Sequence, residues 1–328
     1  MRLLVLGGTG FVGRAIVDDA LARGWQVTTF NRGRVDEDRP GVEALRGDRL
    51  APGGLDVLRG REWDAVVDTW SGAPRAVRDS ANLLADAAGH YGYVSTRSVY
   101  QAPPVADLTE SAPLVDGSAD AEEGPYDQMK VGGELAAVQA FGDRALLARA
   151  GLILGPYEDI GRLPWWLLRA ARGGPMLAPG PADLPLQYID ARDLAAWMLS
   201  AAEQGRSGAY NTVSRRGHTT MRELLDRVVE VTGGAAELRW TAPEVVLAAG
   251  VEPWNDLPIW IPPGHPYAFL HNGDVSKASD AGLVCRPVDE TVADTWAWLR
   301  GLDGGAPQRA DRSKVGLDPD VEARLLAG

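Results

Sequence analysis

The chain has 328 residues, 45% hydrophobic and 24% charged, with a formal net charge of -12. This composition excludes disorder, and the acidic balance argues against nucleic acid as a partner, because phosphate attraction carries the sequence-independent part of that affinity. A single cysteine, Cys285, excludes an internal disulfide framework, and His90, His218, His265 and His271 show no metal-ligand spacing with it, so no metal is expected. The apolar start at Leu3–Leu6 runs straight into glycines, too short for a signal peptide, and no later stretch could span a bilayer. The expectation is a cytoplasmic protein that does not engage a membrane.

Short apolar runs alternate with longer amphipathic ones through the first half of the chain. Strands are predicted at Leu3–Leu6, Val27–Phe30, Val42–Leu45, Ala65–Asp68, Tyr91–Ser95 and Ala145–Ala148, and helices at Phe11–Ala22, Arg75–Ala88 and Met129–Phe141. That alternation predicts an α/β fold, a doubly wound parallel sheet of the Rossmann type, over residues 1–156. After Gly155-Pro156 proline and glycine become frequent, which suggests a smaller C-terminal substrate-binding lobe over 157–300. Within it the run from Leu186 to Trp197 reads as a strand turning into a helix, so about 186–204 is expected to return to the first domain. Residues 301–328 form a polar, glycine-rich tail to which no role is assigned.

Gly7-Gly8-Thr9-Gly10-Phe11-Val12-Gly13 follows the first strand directly and opens a helix. Gly7, Gly10 and Gly13 have the spacing GxxGxxG. A pyrophosphate needs exposed backbone N–H groups at a helix N-terminus, and glycine is the residue that lets it approach. Thr9, Phe11 and Val12 lie in the same loop; the structural alternative is a plain strand-to-helix turn. The second strand ends in Asn31-Arg32-Gly33-Arg34, where an NAD enzyme usually offers a carboxylate to the ribose. Arg32 and Arg34 could instead clamp a 2′-phosphate, which predicts NADP(H); otherwise they are solvated loop charges. Asp48, after the third strand, is placed beside the adenine or in a surface turn. Thr69, in the stretch Asp68–Gly72, lies where the strand ends of such folds meet their ligands.

Tyr126 and Lys130 are four residues apart and project from one helix face. A nearby ammonium favours the phenolate and makes the phenol a better proton donor and acceptor at neutral pH. With eight tyrosines and three lysines in the chain, random placement would give about 0.07 such pairs, so chance is a weak explanation. The bland alternative is an exposed helical lysine beside a core tyrosine. Ser95 and Thr96 end the fifth strand and could donate to a substrate carbonyl, or bond to the backbone instead.

Together these residues resemble the extended short-chain dehydrogenase/reductase superfamily, the group labelled NAD-dependent epimerase/dehydratase. The resemblance runs through residues 1–300, with Arg149–Pro156 and Tyr188–Asp193 similar to later family motifs. It implies a Ser/Thr–Tyr–Lys triad with Thr96 as the hydroxyl, Ser95 beside it, and Lys130 also holding the nicotinamide ribose. The chain departs from the family in two places. Arg97-Ser98 stand where dehydratases carry Asp-Glu, and Leu152 stands where nucleotide-sugar epimerases carry asparagine. Dehydration and nucleotide-sugar substrates are thereby disfavoured. Trp165, Trp166, Trp240, Trp254 and Trp260 fall in the smaller lobe, as pocket lining for a flat substrate or simply as core.

The expectation is an NADP(H)-dependent reductase moving a hydride to a ketone or aldehyde of a small, hydrophobic metabolite. An epimerase with retained cofactor, and a non-catalytic dinucleotide-sensing or RNA-associated regulator, are the rivals. The partner expected is a small-molecule substrate, and a homodimer is compatible with the reading.

Overall fold

The computed structural model describes residues 1–33, 39–102, 108–303, 305–309 and 313–327. Six strands form where the apolar runs predicted them: β1 (Arg2–Leu6), β2 (Gln26–Asn31), β3 (Val42–Arg46), β4 (Ala65–Asp68), β5 (Tyr91–Thr96) and β6 (Ala145–Ala150). Between them lie α1 (Phe11–Ala22), α2 (Pro74–Leu84) and α3 (Tyr126–Phe141). The chain later adds α4 (Ala191–Glu203), β7 (Gly208–Thr212) and α5 (Ser276–Asp280). The seven strands make one parallel sheet in the order β7-β6-β5-β4-β1-β2-β3.

Leu3, Leu4, Val5 and Leu6 are at most 2% exposed, as a strand covered on both faces must be. Chain order runs outward from β1 through β2 to β3, then resumes on the other side with β4. This reversal opens a crevice beyond the carboxyl ends of β1 and β4, the place where such sheets bind ligands. α2 packs with α3, and α1 with α4, where Arg23 donates to the Ala196 carbonyl (2.9 Å) and Ser200 Oγ (3.1 Å). Two glycines in α3 allow the close approach: a Cβ on Gly132 would fall 2.6 Å from Pro74 Cγ, and one on Gly133 would fall 2.3 Å from Tyr93 Oη.

The sheet belongs to a compact unit made of Met1–Gly151, Ala191–Val213 and Asp274–Val284. A division at 156 with a return over about 186–204 therefore differs from the observed one at Gly151, in the later end of the return and in the third segment. β7, Gly-Ala-Tyr-Asn-Thr, carries no apolar run to announce it, and α5 is only five residues long.

The second unit comprises Leu152–Asp190, Ser214–Gly273 and Cys285–Gly328. Its helices Arg162–Ala171, Met221–Val231 and Val288–Leu299 enclose a core in which Trp166 and Trp260 are fully buried. Thr220 and Glu223 cap the second of these helices reciprocally. The terminal helix Pro319–Ala327 is part of this unit: Arg169 Nε donates to Glu322 Oε2 at 2.7 Å, both side chains buried, and Leu317 joins the core. No described helix is long and apolar enough to cross a membrane.

Candidate active site

The loop from Gly7 to Gly13 joins β1 to α1. Gly7 and Gly8 have φ of 126° and 95°, which side chains rarely adopt. A Cβ on Gly13 would lie 2.6 Å from Gly8 N, so the first turn of the helix folds tightly back on the loop. Gly10 is the N-cap of α1, with no side-chain cap and no acidic residue in the first turn. The N–H groups of this turn, beside Thr9, Gly10, Phe11 and Val12, could hold an anion without competition. Thr69 sits against Gly7, with its hydroxyl donating to the Leu6 carbonyl at 3.1 Å.

At the end of β2, Asn31 Nδ2 donates to the Gly7 carbonyl at 3.4 Å and links the two turns. Asn31 Oδ1 accepts from Gly33 N at 2.8 Å and from Arg46 at 2.9 Å. Arg32 and Arg46 are both exposed there. Arg46 was missed in the sequence because the β2–β3 register that sets it opposite Asn31 is invisible in a linear reading. Arg34 lies outside the described residues. Asp48 Oδ1 accepts from Leu50 N at 3.0 Å, the local bond of a turn aspartate.

β4 ends in a buried lattice of polar groups. Arg49 pairs with Asp68 through both nitrogens, at 2.7 and 2.6 Å, and stacks 5.1 Å from the Trp70 ring. Burial opposes the Arg49 cation, but Asp68 outweighs it and the guanidinium pKa lies above its ordinary value. Asp68 also accepts from Tyr91 Oη at 2.6 Å and Trp70 N at 2.9 Å. The carbonyl of Trp70 is thereby fixed in place.

α3 begins at Tyr126, three residues before the predicted start, because Pro125 suits the entry to a helix. Tyr126 is 40% exposed on the first turn, whereas Lys130, one turn later, is 3% exposed. Lys130 Nζ donates to the carbonyls of Trp70 and Val94, each at 2.7 Å, and lies 4.7 Å from the Tyr93 ring centroid. Three electron-rich groups therefore compensate the buried ammonium, and an exposed helical lysine is not what the fold contains. Tyr93 Oη shares the Trp70 carbonyl at 3.2 Å. Burial, then the charge of Asp68, push the Tyr93 pKa well above its ordinary value, so it stays neutral.

Thr96 and Ser95 end β5 with different surroundings. Thr96 is half-buried; its Oγ1 accepts from Ser98 N at 3.2 Å and donates to Ser98 Oγ at 3.3 Å. Ser95 is 3% exposed, and its hydroxyl donates to Glu134 Oε1 at 2.6 Å. Glu134 is a second residue the sequence reading missed, although its spacing of four from Lys130 puts it on the same helix face. Trp166 and Trp260 donate to the carbonyls of Pro258 and Gly180 inside the second unit's core, so neither lines a pocket. Among the described residues no cluster of His, Cys, Asp or Glu suits a metal ion.

Comparison with known proteins matches this arrangement to a family. The NAD dependent epimerase/dehydratase family model covers residues 3–213. A 2-alkyl-3-oxoalkanoate reductase of Stenotrophomonas maltophilia is 28% identical over 71% of this chain and 76% of its own. An uncharacterised protein of Sinorhizobium fredii, y4nG, is 25% identical over 94% of this chain and 82% of its own. Among solved structures, the Bordetella bronchiseptica enzyme WbmH in complex with NAD+ superposes with a TM-score of 0.69 at 20% identity, covering 92% of this chain and 98% of that one. The chain therefore belongs to the NAD-dependent epimerase/dehydratase family, whose cofactor is a nicotinamide dinucleotide.

Proposed function

We propose that the protein is an NADP(H)-dependent reductase of a small ketone or aldehyde with an apolar body. The observation that carries this reading is Lys130: a buried ammonium on the helix of Tyr126, fixed by two carbonyls beside the strand end that bears Thr96. The residues fit the cofactor. Glycines 7, 10 and 13 leave room for a pyrophosphate, and the exposed Arg32 and Arg46 beside Asn31, with no carboxylate at Asn31–Gly33 among the described residues there, suit a 2′-phosphate. When bound, the nicotinamide supplies the hydride that goes to the carbonyl carbon.

This chain's own residues do the rest. Thr96 Oγ1 donates a hydrogen bond to the carbonyl oxygen as its charge develops. Tyr126 Oη transfers its proton to that oxygen, and the phenolate left behind regains a proton from solvent. Lys130, fixed by the Trp70 and Val94 carbonyls one helical turn from Tyr126, would hold the ribose. A carbonyl substrate of apolar character agrees with the name of the reductase relative; the epimerase reading uses the same residues but predicts cofactor retained through purification and no net NADPH consumption. The test is the rate of NADPH oxidation with ethyl 2-methylacetoacetate as probe. Tyr126→Phe is expected to lower kcat by about 10²-fold or more; retention of most of the turnover would overturn the assignment.

A further inference from the structure

We propose that Ser95 and Glu134 are positioning residues that pin β5 to α3 and so set Thr96 against Tyr126 and Lys130. The inference rests on the reading of those three as the reacting groups. It starts from spacing: Tyr126, Lys130 and Glu134 are successively four residues apart, so one face of α3 carries all three. The first two face the chemistry, and the third reaches the strand.

Glu134 is held from two strands at once. Ser95 Oγ donates to Oε1 at 2.6 Å, Arg149 Nε donates to the same oxygen at 2.9 Å, and Arg149 Nη2 donates to Oε2 at 2.8 Å. Ser95, Glu134 and Arg149 are 3%, 3% and 4% exposed, so water does not compete for these bonds. Arg149 is itself fixed by donating to Tyr100 Oη at 3.2 Å and to the Glu110 carbonyl at 3.0 Å, and Tyr100 donates onward to Asn211 Oδ1 at 2.6 Å. In the sheet register Ser95 lies opposite Arg149, and Arg149 opposite Asn211, so the network is one transverse row across β5, β6 and β7.

The row ends one residue short of Thr96. The Ser95 proton is committed to a buried carboxylate at 2.6 Å, whereas Thr96 donates to a neutral hydroxyl, Ser98 Oγ, over a longer 3.3 Å and is the easier of the two to redirect to a carbonyl; a shift of α3 along β5 would change where Tyr126 and Lys130 lie relative to Thr96. Errors of about 1 Å in such geometry cost on the order of 100-fold in rate. Ser95 therefore acts through Thr96.

A double-mutant cycle on kcat, with NADPH and ethyl 2-methylacetoacetate, separates positioning from direct contact. Ser95→Ala is expected to lower kcat roughly tenfold with NADPH affinity unchanged, Thr96→Val to lower it about 100-fold, and the double variant to equal Thr96→Val alone. If Ser95→Ala multiplies its full factor onto Thr96→Val, Ser95 touches the carbonyl and the pin is wrong. If Ser95→Ala leaves kcat unchanged, it is wrong as well. If Thr96→Val and Tyr126→Phe retain wild-type kcat, the catalytic reading fails instead. Amide exchange of the NADP+-bound protein needs no turnover: Ser95→Ala, or Glu134→Gln should the first fail to fold, must speed exchange in the second turn of α3, whose bonded amides begin at Met129, and unchanged exchange there overturns the proposal.

Discussion

Gly133→Ala is expected to destabilise the protein, although helix propensity alone predicts a gain of about 1 kcal/mol. The added Cβ would lie 2.3 Å from Tyr93 Oη, 2.6 Å from Cζ and 2.9 Å from Cε1. Tyr93 is 1% exposed, with its hydroxyl on the Trp70 carbonyl and its ring against Lys130, so it cannot swing aside cheaply. Overpacking of this kind costs about 1–3 kcal/mol, and losing the hydroxyl's bond adds about 1 kcal/mol. The net expectation is a loss of about 1–3 kcal/mol, read as a Tm lower by about 2–4 °C for each kcal/mol. Because Tyr93 supports Lys130, NADPH affinity measured by fluorescence titration should fall too. Adding Tyr93→Phe removes the nearest clashing atom and should recover part of the stability. A Tm at or above wild type with unaltered NADPH affinity would refute the packing argument.

Other expectations concern charge. Arg32→Ala and Arg46→Ala should each weaken NADPH binding by about tenfold or more and leave NADH binding nearly unchanged, since each removes a charge-assisted bond to the 2′-phosphate; calorimetry with both dinucleotides decides it. Arg49→Met strands the Asp68 carboxylate in the core and should cost about 3–5 kcal/mol in urea unfolding. Burial raises Glu158 from 4.5 to about 7 despite the nearby Arg162 charge and the N–H bonds from Arg162 and Leu163. A group raised in this way contributes its full stability below pH 4.5 and loses it as pH climbs through about 7. Glu158→Gln should flatten that fall, worth at most about 3 kcal/mol, in urea melts across the range.

The sheet was legible because β1, β2, β4, β5 and β6 are largely buried runs and edge strand β3 still carries Val42, Ala44 and the buried Leu45, and α1 because Gly10 and the amphipathic spacing mark its limits. β7 was not, since a short edge strand next to β6 takes its identity from its neighbour rather than from its own composition. Residues carried by local motifs, the glycine loop at the β1–α1 turn and the Tyr126/Lys130 pair on one helix, could be assigned to their elements directly. Those defined by register or by a helix face across the core, Arg46, Tyr93 and Glu134, could not. Ser95 shows the limit most clearly: its place in the motif suggested a substrate contact, while its proton goes to a carboxylate 39 positions away in sequence. Trp166 and Trp260 are fully buried, in the core role that is the commoner of the two open to them in the sequence.

The most direct test of the account is a crystal structure with NADP+ bound. It should show Lys130 Nζ hydrogen-bonded to the nicotinamide ribose, Tyr126 Oη facing the nicotinamide ring, and Arg32 and Arg46 on the 2′-phosphate. A dinucleotide seated away from the glycine loop, or a Tyr126 hydroxyl turned from the ring into solvent, would contradict it.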